Sequence, residues 1–288
     1  MQNETVIAIL LATITPVLSA ANPVRAKEPP KSRATTKPAA SRPSSGDRVV
    51  DEVLDRLETK GEAIQGLACK LTYRYITIEP VEDRQIKTGT LLFKKAAPGA
   101  INSMFRIDFD TMILDGVRSR HVETFAFDGQ WLTEFNQKAR TVIRRQIVRP
   151  GKHVDPFRIG KGPFPMPFGQ KRDDILQNFA VTRKHLDVSD PPGSIHLHCV
   201  PRPKTELARK YSRVEIYVDR KIELPVRIVT ERINDGNRIE VDFQDIDTSA
   251  APAGSRFKID MPKGAGFEER VEPLPELPRP NTVPNLRR

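Results

Sequence analysis

The apolar residues of this chain follow two rhythms. Between Val49 and Leu57 they fall at Val49, Val50, Val53, Leu54 and Leu57, the spacing of a helix with one buried stripe. Ser45 or Asp47 stands where such a helix needs a cap, and Gly61 stands where it can stop. From Ala68 onward the period drops to two. Cys69, Leu71, Tyr73 and Tyr75 alternate with Lys70, Thr72 and Arg74, so the two sets point to opposite faces of a strand. The same alternation returns at Phe105, Ile107 and Phe109; at Val214, Ile216 and Val218; at Val226 and Ile228; at Ile239, Val241 and Phe243; and at Phe257 and Ile259. One further short turn of helix is predicted at Asp173 to Asn178.

Asp115-Gly116, Asp128-Gly129 and Asp235-Gly236 separate these runs and suit tight hairpins. Strands joined by hairpins form an antiparallel meander, and the lack of helices between them excludes a doubly wound parallel sheet. The prediction is a mainly β protein with a single curved antiparallel sheet. It is an unclosed half-barrel of about nine to eleven strands with an N-terminal helix and a Pro/Phe-rich lid loop. A helix with its side chains is about 10 to 12 Å across, so one helix covers only part of so wide an apolar face. Curling of the sheet, loops or a ligand must close the rest.

The lid is predicted in Asp155 to Gly169, where Phe157, Phe164, Met166 and Phe168 lie among four prolines. So many prolines forbid a central strand, and the apolar side chains are expected to lie on the sheet, as a fixed plug or as a lid that moves for a ligand. The ends differ from the middle. Val6 to Ala20 is apolar, about 15 residues long and followed by small residues; it reads as a signal peptide, residues 1–21, with an uncleaved anchor as the alternative. Residues 22–46 are rich in Pro, Lys, Ser, Thr and Ala and read as a disordered tether. Residues 47–270 form the predicted domain, and 271–288, with five prolines between Glu272 and Pro284, a Pro-rich disordered tail. The protein is expected to be exported or periplasmic, peripheral to the membrane and monomeric.

The net charge of +10 invites a nucleic-acid partner. Its placement argues against one, because the stretch from Asn22 to Val49 holds seven basic residues against two acids, which is half of the excess. The remaining charges alternate along strands and read as a solvated face, with acids of ordinary acidity. Cys69 and Cys199 permit one disulfide in an oxidising compartment, and two buried free thiols fit the sequence equally well.

Candidate chemistry is sparse. His196 and His198 share one face of a strand, as a metal pair would, but without a third ligand nearby the reading is a surface strand with two histidines. His121, His153 and His185 are isolated, and the chain has no nucleophile elbow, no phosphate-binding glycine loop and no His-Glu-x-x-His signature. The sequence therefore predicts no enzyme, no metal and no cofactor.

The order of these elements resembles a family. A helix runs into a Tyr-rich strand (Val49 to Ile78); then come Gly89 with Leu91-Leu92-Phe93-Lys94-Lys95, Phe105 to Phe109, and the hairpin Phe127-Asp128-Gly129-Gln130-Trp131-Leu132. The Phe/Pro loop, Val214 to Asp219, Leu224-Pro225, the Asp235-Gly236 turn and Phe257 to Pro262 with Gly264 complete the series. This pattern, over about residues 47 to 270, resembles the LolA/LolB-type lipoprotein carrier superfamily. The resemblance implies a half-barrel that binds lipid or lipoprotein acyl chains in an apolar groove, in transport or as a chaperone. A related domain in envelope-stress regulators implies the alternative, a sensor or scaffold that binds an envelope protein. Tyr73, Tyr75, Phe105, Phe109, Phe125, Phe127, Trp131 and Phe243 are the expected groove lining, unless they are simply core. The resemblance also aligns Lys95 with an arginine that holds the carriers' lid shut, and Lys lacks that residue's planar fork of donors.

Overall fold

The computed structural model describes residues 42–79, 82–96, 102–152, 168, 170–260, 262 and 266–275. Helix α1 spans Arg48–Ala63. Asp47 is its cap, accepting from the backbone N–H of Val49 at 2.8 Å and of Val50 at 3.4 Å. Val50, Val53, Leu54 and Leu57 are buried as the stripe requires. The helix continues past Gly61, which is itself buried, and ends where Ile64 turns to extended backbone.

Among the described residues twelve strands make one open sheet, somewhat more than the nine to eleven expected. Strands β1 (Gly66–Thr77), β2 (Asp83–Lys94), β3 (Met104–Leu114), β4 (Val117–Phe127), β5 (Trp131–Asn136) and β6 (Thr141–Gln146) form one antiparallel meander. Helix α2 (Arg172–Asn178) precedes a second meander of β7 (Phe179–Lys184), β8 (Ser194–Pro201), β9 (Tyr211–Asp219), β10 (Pro225–Arg232) and β11 (Arg238–Asp247). The meanders join where β11 pairs with β1. The predicted turns are in place: Asp115 and Gly116 both adopt positive φ, 52° and 74°, the combination a two-residue hairpin requires.

The last strand is unlike the others. Strand β12 (Glu268–Glu272) pairs parallel to β6 and closes the far edge, so the chain from β11 must cross the outer face to reach it. This crossing strap touches β1 at Gly66, where a Cβ would stand 2.2 Å from the Ala250 carbonyl oxygen. It meets β3 where Arg106 donates to the Arg256 carbonyl at 3.0 Å, and β5 where Phe267 stacks on Phe135 at 5.3 Å. Phe257, expected in a strand, instead ends a 3-10 turn within the strap, Gly254–Phe257, and is buried. The sheet therefore extends two residues past the predicted domain end at 270. At the other terminus, Arg42 to Gly46, read from sequence as tether, lie against the helices: Arg42 reaches Asp55, Glu58 and Asp173.

The core lies between the inner face of the sheet and the two helices. Leu67, Cys69, Leu71 and Tyr73 of β1, Leu91 of β2, Phe105, Ile107 and Phe109 of β3, and Ile228, Val241 and Phe243 of β10 and β11 all belong to it. A sheet of twelve strands at about 4.8 Å each is far wider than two helices can cover.

Candidate functional site

Registers decide which side chains share the inner face. Tyr73 and Tyr75 on β1, Phe105 and Phe109 on β3, Phe125 and Phe127 on β4 and Phe243 on β11 all point into the core, and all are buried. Tyr73 meets Phe109 edge-on at 6.0 Å, Phe109 meets Phe125 at 6.4 Å, and Phe105 stacks on Phe127 at 5.9 Å. Trp131 is a correction. Its neighbour Leu132 pairs with Phe127 on the inner face, so Trp131 points outward, where Arg144 lies over its ring at 5.6 Å.

Phe168 packs edge-on against Phe243 with centroids 5.0 Å apart, and Ile175 and Leu176 of α2 are buried beside it in the same core. These side chains occupy inner-face area that α1 does not cover. The other predicted lid residues, Phe157, Phe164 and Met166, and with them His153, lie outside the described residues. The Lys95 ammonium donates to the Glu62 carbonyl, in the last turn of α1, and so caps that helix. The ionic tie between the helices lies elsewhere. Arg172 of α2, almost wholly buried, reaches Asp51 at 3.3 Å and Asp55 at 3.6 Å, and Arg42 bridges Asp55 and Glu58 of α1 to Asp173 of α2.

The inner face is not apolar throughout. Lys87, 4% exposed, pairs with Glu123, 8% exposed, at 2.5 Å, and its ammonium lies 5.7 Å from the Phe109 ring centre. His121 at 3.3 Å also serves Glu123. Burial pushes the Glu123 carboxyl up, but His121 and Lys87 outweigh it and hold the group below its ordinary value. Glu134 on β5 is pushed up to about 7 by burial, against the pull of Arg145 and with the nearby Glu123 and Glu272 adding to the rise. These acids correct the expectation of solvated carboxylates. The signal was present: Glu123 is in phase with Phe125 and Phe127, and Lys87 with Gly89, Leu91 and Phe93, which puts a charge on a buried face.

The outer face of the second meander carries a lattice of charge. His196 and His198 both bond Glu215, at 2.9 Å and 2.8 Å, and His196 stacks on Tyr217 with centroids 4.3 Å apart. His196 is buried, against the expected surface strand, because these neighbours cover it. Arg227 continues the lattice to Asp242 at 2.5 Å, and Arg74 bonds both Asp242 and Glu240. Among the described residues no group of three or more His, Cys, Asp or Glu could hold a metal ion. No helix among them is long and apolar enough to cross a membrane.

Cys69 and Cys199 are free and buried. They sit on β1 and β8, with β11, β10 and β9 between them, a span far beyond the Cα separation of about 6 Å that a disulfide allows. Burial pushes the Cys69 thiol up to about 12 and raises the Cys199 thiol as well. The thiolate is the reacting form. Iodoacetamide is therefore expected to leave both unmodified in the native protein and to alkylate both in urea, read by intact mass; rapid native labelling of either would contradict their burial.

The class these features define is an unclosed antiparallel half-barrel with helices on its inner face. No family model matches the chain, and no curated protein matches it. Solved structures resemble it at low identity. An uncharacterized conserved protein from Thermus thermophilus is 13% identical, with a TM-score of 0.44 over 77% of this chain and 100% of that one. The Pseudomonas aeruginosa MucA/MucB complex gives 14% and 0.38, over 74% of this chain and 61% of that one. A LolA superfamily protein from Nitrosomonas europaea gives 12% and 0.33, over 72% and 96%. A member of the superfamily that the sequence resembles is thus among the solved structures it is similar to.

Proposed function

We propose that this chain is a non-catalytic, exported envelope protein that holds acyl chains of a lipid or lipoprotein against the inner face of its half-barrel. The observation that carries the reading is the inner face itself. Its apolar core runs across both meanders, interrupted by the Lys87–Glu123 pair, and is wider than α1 and α2, with Phe168 laid on Phe243. Each methylene buried there contributes about 0.8 kcal/mol, so one long chain taken out of water onto that face gains several kcal/mol after ordering costs. Residues 1–21 would direct export.

A second reading has its own support. The seven inward residues of the expected groove lining are already buried, which suits a scaffold that keeps its groove filled and recognises an envelope protein on its surface.

Native mass spectrometry on protein purified gently from its own envelope separates the two. Acyl lipid or lipoprotein is expected to co-purify with wild type and to be lost from Phe168→Asp, while Phe168→Leu, the folding control, retains it. An empty wild-type protein would sink the carrier reading in favour of the scaffold.

A further inference from the structure

An open sheet has two terminal strands, and here they differ in charge. On β7, Ala180, Thr182, Arg183 and Lys184 are exposed, and the strand pairs only with β8 among the described residues. On β12, Glu268, Glu269 and Arg270 are exposed, Val271 is 51% exposed and Glu272 is partly exposed; its one partner among the described residues is β6. One edge thus presents two adjacent cations and the other two adjacent carboxylates. Neighbouring groups neutralise them only loosely: Lys184 stands 3.9 Å from Glu215, Glu269 3.7 Å from Arg144, and Glu268 3.5 Å from Arg270.

Charges on edge strands usually prevent pairing between sheets. That protection works when like meets like. Two β7 edges would bring the cations of both copies onto a seam six residues long, and two β12 edges would crowd carboxylates. The unlike combination has the opposite sign. It sets Arg183 and Lys184 beside Glu268 and Glu269, and it offers Val271 the exposed small apolar surface of Ala180 and Val200, which are paired on β7 and β8.

We propose that copies of this chain associate head to tail, the β7 edge of one molecule adding to the β12 edge of the next through main-chain hydrogen bonds, with charge fixing the order. The interface is heterologous, so an open assembly keeps one free edge of each kind at its ends and grows until it closes or runs out of protein. The strands are short, and the contact is accordingly weak, salt-sensitive and concentration-dependent. It does not depend on what the inner face binds.

Sedimentation velocity of the full-length protein at low and high salt tests this. Wild type is expected to gain mass with concentration at low salt and to lose that gain at high salt. The variants R183E/K184E and E268K/E269K, each altered at exposed positions and checked for native circular dichroism, are each expected to associate at least about tenfold more weakly. Mixing them should restore association, because the reversed β7 of one then meets the reversed β12 of the other. A monomer at every concentration would overturn the proposal. So would association that survives either reversal, or reversed variants that fail to assemble when mixed.

Discussion

Replacing Lys87 with methionine is expected to cost about 3 to 5 kcal/mol at pH 8, because it leaves the Glu123 carboxylate buried without its cation. Both side chains lie on the inner face, Lys87 over the Phe109 ring and Glu123 on the strand beside it. The sign of the pH dependence follows from Glu123. In wild type its carboxyl is held below the ordinary value, so the pair contributes stability above the normal carboxylate range and loses it as pH falls. Without Lys87, burial dominates, and the group takes up a proton and becomes neutral well above its ordinary pKa. The deficit should therefore be smaller at pH 5 than at pH 8. Urea midpoints at the two values measure it, and an equal loss at both would show that Lys87 acts through packing alone. The double variant K87M/E123L is expected to recover most of the loss, since an apolar pair of similar volume is often as stable as a buried ion pair.

Gly89→Ala should cost about 3 kcal/mol and act on the sheet itself. A Cβ there would lie 1.9 Å from the Asp108 carbonyl oxygen and 2.8 Å from the Phe109 Cα. The position falls where the β2–β3 register shifts between Thr88 and Gly89, and the two backbones approach more closely than a side chain permits. Gly66→Ala is the useful contrast. Its obstacle is the Ala250 carbonyl of the strap, which can lift away while the β1–β2 ladder stays intact, so a smaller loss is expected. Equal midpoints for Gly89→Ala and wild type would mean that the two backbones do not approach so closely at the bulge.

Much of this architecture is legible in the residues. The stripe from Val49 to Leu57, the period-two runs and the Asp-Gly turns specify a helix and hairpins, and hairpins specify a meander. Phase within a strand is equally readable: Leu132, not Trp131, is the inward residue of its strand, and Lys87 and Glu123 stand in phase with apolar neighbours although their charge suggests the surface. Other features depend on partners distant in sequence. The pairing of β1 with β11, the cover over His196 and the tie of Arg172 to α1 join segments far apart, and no local pattern announces them. Strand β12 is hidden by its setting, a charged stretch beside prolines with almost no apolar alternation, held by Arg145 to Glu272 and Arg144 to Glu269.

The strap also orders the birth of the molecule. The first meander, β1 to β6, emerges from the ribosome with both flanks open. Its β1 side waits for β11, and its β6 side waits for Glu268–Glu272, the last strand among the described residues. A nascent chain must therefore carry two unpaired strand edges through most of its synthesis, when edge-to-edge misassembly is most costly. The β6 edge is covered only when Glu268–Glu272 has been made and the strap has crossed the outer face, so a chain halted before that strand would keep β6 open beside an otherwise paired meander.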